Sequence, residues 1–87
     1  MKEITMFILA SCPYCRKALA WMEELKNENP AYANIQIKII DEGKEPEIAN
    51  QYDYYYVPTY YIGKEKLHEG AAKKEIIQKI FDKALED

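Results

Sequence analysis

Residues 3–9, Glu-Ile-Thr-Met-Phe-Ile-Leu, are almost wholly apolar and rich in β-branched and aromatic types, which predicts a strand covered on both faces. Over residues 13–28 the rhythm changes. Cys15, Ala18, Leu19, Met22 and Leu25 fall at intervals of three and four, the stripe of an amphipathic helix. Asn29-Pro30 ends that helix. Ile35, Ile37 and Ile39 then alternate with Gln36, Lys38 and Ile40, as in a strand near a sheet edge. Asp41-Glu42-Gly43 reads as a turn, and Glu45 to Tyr52 as a short helix with Pro46 and acidic residues in its first turn. Thr59 to Ile62 and Lys66 to Glu69 form a hairpin around Gly63-Lys64-Glu65. After Gly70 a last helix carries Ala72, Ile76, Ile77, Ile80, Phe81, Ala84 and Leu85 along one stripe. The order β-α-β-α-β-β-α begins with a right-handed crossover between parallel strands and ends with an antiparallel hairpin. An α/β protein follows, with a four-stranded mixed sheet flanked by helices.

At 87 residues the chain holds one domain, residues 1–87, with a small core. Its 48% hydrophobic and 31% charged residues are an ordinary globular mix, and no repeat, linker or low-complexity segment interrupts it. Twelve basic against fifteen acidic residues give a net charge of −3, a poor match to nucleic acid or an anionic membrane. The apolar run Met6 to Ala10 is far short of the roughly 18 residues of a spanning helix. Lys2-Glu3 and that short run also make a poor secretory signal. Leu9-Ala10-Ser11-Cys12 mimics a lipoprotein cleavage box, but cutting there would discard the first strand. A cytoplasmic monomer without nucleic-acid or membrane partners is expected.

The chemistry concentrates in Cys12-Pro13-Tyr14-Cys15, which contains the chain's two cysteines. A disulfide across so small a loop constrains the unfolded chain little, so a purely structural bridge explains the pair poorly. The motif straddles the end of the first strand and the start of the first helix. Cys12 falls at the N-cap and Pro13 at the first helical position, where a missing N–H costs nothing. The free amides of Tyr14 and Cys15 and the helix dipole favour a thiolate at Cys12, and Arg16 and Lys17 add positive charge. Cys15, one turn on, points back from a more shielded position. An exposed nucleophile with a resolving thiol behind it is what exchange through a mixed disulfide requires. A zinc site needs four ligands, and beyond the two thiols only His68 is at hand, so a zinc or iron–sulfur module needs ligands from a second chain. No metal is therefore assigned. An adaptor of the same α/β fold with an incidental motif is the remaining alternative.

Cys12-Pro13-Tyr14-Cys15 after one hydrophobic strand, and Val57-Pro58-Thr59 before another, resemble the dithiol glutaredoxins of the thioredoxin-fold superfamily; length and element order agree over nearly the whole chain. The resemblance implies a thioredoxin fold and a glutathione-dependent thiol–disulfide oxidoreductase acting on protein or glutathione mixed disulfides. Cys12 is then the nucleophile and Cys15 the resolving thiol, with Pro13 and Arg16 in support. Pro58 is a cis-proline facing them, the Val57 backbone pairs with substrate, and Tyr14 flanks bound glutathione, a co-substrate and not a tightly held cofactor. Two family features differ here. The position three residues before the first cysteine, often Lys, is Leu9, and the family's Gly-Gly before an acidic triplet is replaced by Glu69-Gly70-Ala71-Ala72-Lys73. Gly70 and the amides of Ala71 and Ala72, placed at the last helix's N-terminus, remain to hold a carboxylate, with Lys73 or Lys74 in compensation. A thioredoxin-like reductant recycled by a reductase is the close variant.

Six of the eight tyrosines, at 52, 54, 55, 56, 60 and 61, bracket Val57-Pro58. They read mainly as strand and loop packing, with Tyr56 the candidate for a substrate rim. His68 is assigned to packing or surface, and Trp21 lies off the main stripe of its helix, partly exposed. The first strand offers no acidic residue to sit beneath the cysteines, and the acids of the last helix read as a solvated face.

Overall fold

In a computed structural model that describes residues 1–86, β1 (Ile4–Ile8) is followed by α1 (Pro13–Glu28), α2 (Pro30–Ala33) and β2 (Ile37–Asp41). The chain continues through α3 (Pro46–Ala49), β3 (Thr59–Ile62), β4 (Glu65–Glu69) and α4 (Lys74–Leu85). The sheet has four strands in the order β2-β1-β3-β4. β1 pairs in parallel with β2, Ile4 opposite Ile37 through Ile8 opposite Asp41, and antiparallel with β3, Ile4 opposite Ile62 through Phe7 opposite Thr59. β4 closes the antiparallel half, with a register shift between Tyr60 and Tyr61.

The two-faced apolar reading of the first strand is explained by this central place. Ile4 and Met6 are sealed under α1 and α4 with Ala18, Met22, Leu25, Ile77, Ile80 and Phe81. Phe7 points the other way, into a cluster with Ile40, Ala49 and Tyr61 beneath α3. Here the tyrosines are structural: the Phe7 ring stacks on Tyr54 at 4.8 Å between centroids and meets Tyr52 at 4.7 Å and Tyr61 at 6.0 Å. The sheet thus has a large aliphatic core on one face and a small aromatic one on the other.

Five local expectations change. Asn29 and Pro30 do end α1, but they also start a new helix. The Asn29 side chain accepts a hydrogen bond from the Ala31 amide at 3.0 Å and Pro30 takes the first position, the usual N-cap chemistry. α2 puts Tyr32 into the core against Phe81, and its hydroxyl donates to Asp82 at 2.5 Å, so that acid of the solvated face has a packing role. In β2 the buried residue is Ile40 while Ile39 is 46% exposed, because an edge strand has cover on only part of each face. α3 stops at Ala49, well short of Tyr52, whose ring is drawn to Phe7 and Tyr61. α4 starts at Lys74 with Lys73 as N-cap, so Ala71 and Ala72 precede the helix. Their amides are not the free donors of its first turn, and that part of the expected carboxylate site is corrected. Among the described residues no helix is long and apolar enough to cross a membrane.

Candidate active site: a dithiol at the start of the first helix

Parallel pairing of β1 with β2 brings the ends of both strands to one edge of the sheet, and the cysteine motif begins there. The chain turns after Ile8, with the Cys12 amide donating to the Leu9 carbonyl at 3.0 Å. Cys12 takes the N-cap in extended conformation and Pro13 the first helical position, as expected from sequence. The Cys12 carbonyl accepts from the amides of Cys15 at 3.1 Å and Arg16 at 3.3 Å, which closes the first turn and holds Cys15 behind Cys12. Cys12 is half-buried and Cys15 is buried, and both thiols are free. The protonated Cys12 thiol lies 3.8 Å from the Val57 carbonyl, to which it donates a weak hydrogen bond.

The two thiols are chemically unlike. Partial burial pushes the Cys12 thiol up, but the Cys15 amide and thiol, the Tyr14 amide and the Arg16 charge together outweigh it and bring it below the usual 9.0. No amide makes a close capping bond to the sulfur, so the helix start acts by polarity at longer range. Burial pushes Cys15 up to about 11; a Leu9 backbone contact opposes this, and the hydrogen bond and charge at Cys12 and the charge of Glu42 reinforce it. The outer thiol is the readier anion and the inner one keeps its proton. Because an acid with a lowered pKa ionises at lower pH, iodoacetamide should label Cys12 with a profile rising below pH 9.0 and should spare Cys15 until pH approaches about 11. Arg16→Gln should move the Cys12 profile upward, and only slightly, because an exposed charge is screened by solvent. Peptide-resolved labelling by mass spectrometry reads both effects.

Glu42 is the residue that sequence reasoning missed. It lies one residue beyond Asp41, the parallel partner of Ile8, so its position beside the motif follows from the β1–β2 register and not from the first strand. Its amide donates to the Ile8 carbonyl at 2.9 Å, and its carboxylate accepts the Tyr54 hydroxyl at 3.0 Å.

Opposite the cysteines, the Val57–Pro58 peptide bond is cis, as the resemblance implied. This loop is held from both ends. The Gly70 amide donates to the Pro58 carbonyl at 2.8 Å, from a backbone with φ +92° that suits glycine. Glu69 accepts from the Tyr55 amide at 2.6 Å and the Tyr56 amide at 3.0 Å, and pairs with Lys66 at 2.7 Å. The Lys66 ammonium and these two amides hold the Glu69 carboxyl down to about 2. Glu69→Gln should therefore speed hydrogen exchange at the Tyr55 and Tyr56 amides several-fold in an NMR measurement, leaving β1 amides protected. Since the folded pKa is lowered, the clamp is complete above the ordinary carboxylate pKa and is lost as pH falls towards about 2.

The tyrosines divide accordingly. Tyr52, Tyr54 and Tyr61 build the aromatic core, and Tyr60 is sealed with its hydroxyl 3.5 Å from the Met22 sulfur. Tyr56 is exposed as expected, and Tyr55 is more so, at 70% and 85%. His68 is engaged by the Ala71 carbonyl at 2.9 Å, a packing role. Tyr14, Lys17 and Trp21 form one wall of a groove of about 310 Å³, and Ala71, Ala72, Lys73 and Ile76 form the other. Ala71 and Ala72 thus share a site with Tyr14, although not as helix-end donors. Trp21, which a stripe analysis leaves off-face, lines this groove. Among the described residues, no cluster of three or more His, Cys, Asp or Glu is arranged to hold a metal ion.

A dithiol on the first helix of a β2-β1-β3-β4 sheet, facing a cis-proline before β3, defines a thioredoxin-fold protein with a dithiol site. A profile of the family described as thioredoxin domain matches residues 2–82, and the chain belongs to that family. A thioredoxin of Methanocaldococcus jannaschii is 30% identical over 83 residues, which is 95% of each chain. A thioredoxin-like protein from Clostridium perfringens is 26% identical with a TM-score of 0.68, covering 98% of this chain and 71% of that one. Oxidised thioredoxin O1 from Arabidopsis thaliana, at 19% identity and a TM-score of 0.71 over 99% of this chain and 79% of that one, shows the fold alone. The superfamily expected from the residues is thus confirmed, and these relatives carry thioredoxin names where a glutaredoxin type was expected.

Proposed function

We propose that this chain is a thioredoxin-like reductant of protein disulfides. The observation that carries the reading is the asymmetry of the dithiol: a half-buried sulfur with lowered pKa at the α1 N-cap, and a buried one raised to about 11 one turn behind it. The Cys12 thiolate attacks one sulfur of a substrate disulfide, forming a mixed disulfide and releasing the other sulfur as thiolate. Cys15 then gives its proton to the released substrate thiolate and attacks the Cys12 sulfur. The Cys12–Cys15 disulfide forms, the second substrate thiolate leaves, and two electrons have passed to the substrate. A reductase dithiol returns them. The Val57 carbonyl lies 3.8 Å from the attacking sulfur, which supports main-chain pairing with an extended substrate segment there. The 30% identity to a thioredoxin of Methanocaldococcus jannaschii supports the thioredoxin-like reading.

Glutathione dependence is the second reading, favoured by the exposed Tyr14 beside Ala71 and Ala72 in one groove. It casts glutathione as co-substrate and recharging agent. Turnover of a disulfide-linked protein and of a small glutathione mixed disulfide, measured side by side with reduced enzyme, separates the two. Faster reduction of the protein disulfide is expected; turnover of the glutathione mixed disulfide alone would replace the first reading by the second.

A further inference from the structure

The geometry points to a substrate preference: the groove beside the dithiol takes a bulky apolar side chain from an extended, acidic protein segment that carries the disulfide. This rests on the exchange reaction proposed above and adds what selects its substrate. Tyr14, Lys17 and Trp21 stand three and four residues apart along α1, so they form one stripe about 10 Å long at 1.5 Å per residue. The stripe begins at Tyr14, inside the cysteine motif and two residues from Cys12, so the groove starts beside the dithiol. Its walls are mostly apolar, and its volume of about 310 Å³ is at the small end of ligand pockets, suited to one side chain. At about 3.3 Å per residue an extended segment crosses that distance in about three residues, which sets the spacing between the substrate cysteine and its apolar anchor.

The charge on the rim chooses the sign of the partner. Lys17 and Lys73 are exposed, and among the described residues neither enters an ion pair. The adjacent Lys74 is fully occupied by Glu24 at 3.2 Å and Glu28 at 2.7 Å. Glu42, the acid whose charge reaches Cys15, accepts the Tyr54 hydroxyl, and Glu69 is committed to Lys66 and two amides. On a chain of net charge −3, two cations free of ion pairs, Lys17 and Lys73, therefore face each other across one apolar groove, complementary to carboxylates flanking an apolar residue.

The test uses two peptides, each with one cysteine in a mixed disulfide with mercaptoethanol and a Phe three residues away. One is flanked by Glu, the other by Lys. With the wild type, kcat/KM for the acidic peptide should exceed that for the basic one by about tenfold at low salt, and added salt should narrow the gap. Lys17→Glu with Lys73→Glu should invert the preference. Trapping the acidic peptide on the Cys15→Ser variant should shift the emission of Trp21, the chain's one tryptophan, and a peptide with Ser in place of Phe should not. Equal rates for both peptides, or no shift from either, would overturn the inference and leave the exchange reaction standing. Failure to reduce either peptide would overturn the exchange reaction as well.

Discussion

Cys12→Ser should abolish disulfide reduction to background, whereas Cys15→Ser should stall after one chemical step and accumulate a mixed disulfide on Cys12. The difference follows from position. Serine at the N-cap keeps the helix start, since its hydroxyl is a good cap, but it cannot exchange with a disulfide. Serine at 15 keeps the nucleophile and removes the buried thiol that completes the reaction. The Cys15→Ser adduct should persist because the released substrate thiolate is the remaining group able to reverse it. Mass spectrometry under non-reducing conditions reads the adduct, and circular dichroism shows that each variant is folded. An adduct on Cys15 in the Cys12→Ser protein, with turnover retained, would reverse the assigned roles.

The largest effect on stability is expected at Phe7. Its ring is fully buried and is the hub that Tyr52, Tyr54 and Tyr61 pack around, so Phe7→Ala removes the centre of the face beneath α3. Truncations of this kind cost about 3–5 kcal/mol. In a domain of this length each kcal/mol lowers Tm by roughly 4–8 °C, so a fall of at least about 12 °C is expected in thermal unfolding. Phe7→Leu, which keeps apolar volume, should lose much less. The aliphatic core of Ile4, Met6, Ile77 and Phe81 lies on the other face and is not shared, so α1 should stay docked at low temperature. A Phe7→Ala protein with unchanged Tm would mean that the aromatic cluster is not cohesive.

Those outcomes separate what the residues announced from what they did not. The covered first strand, the 3.6-residue stripes of α1 and α4, and the cap chemistry at Cys12-Pro13 are local signals, and the structure places them as expected. Their combination with Val57-Pro58 was enough to specify the fold. Asn29-Pro30 misled because the same two residues stop one helix and start another, and a four-residue helix has too few positions to show a period. Ile39 and Ile40 were indistinguishable by composition; which one is buried depends on the cover over β2. Glu42, Trp21 and the Glu69 clamp are products of register and helix packing between separate segments, so the positions gain meaning only once β1 is paired with β2, α1 is laid against α4 and β3 is paired with β4. The subtype was the hardest point. Cys-Pro-Tyr-Cys resembles one branch of the superfamily, whereas the family profile and the archaeal relative point to thioredoxin.

The direct test of dithiol chemistry is a stoichiometric transfer. Fully reduced protein is mixed with one equivalent of a disulfide-linked protein, quenched in acid, and alkylated before and after reduction. One substrate disulfide should be opened for each molecule of this protein, with both Cys12 and Cys15 lost to the first alkylating agent and joined to each other. Two free thiols remaining beside an untouched substrate would contradict the account.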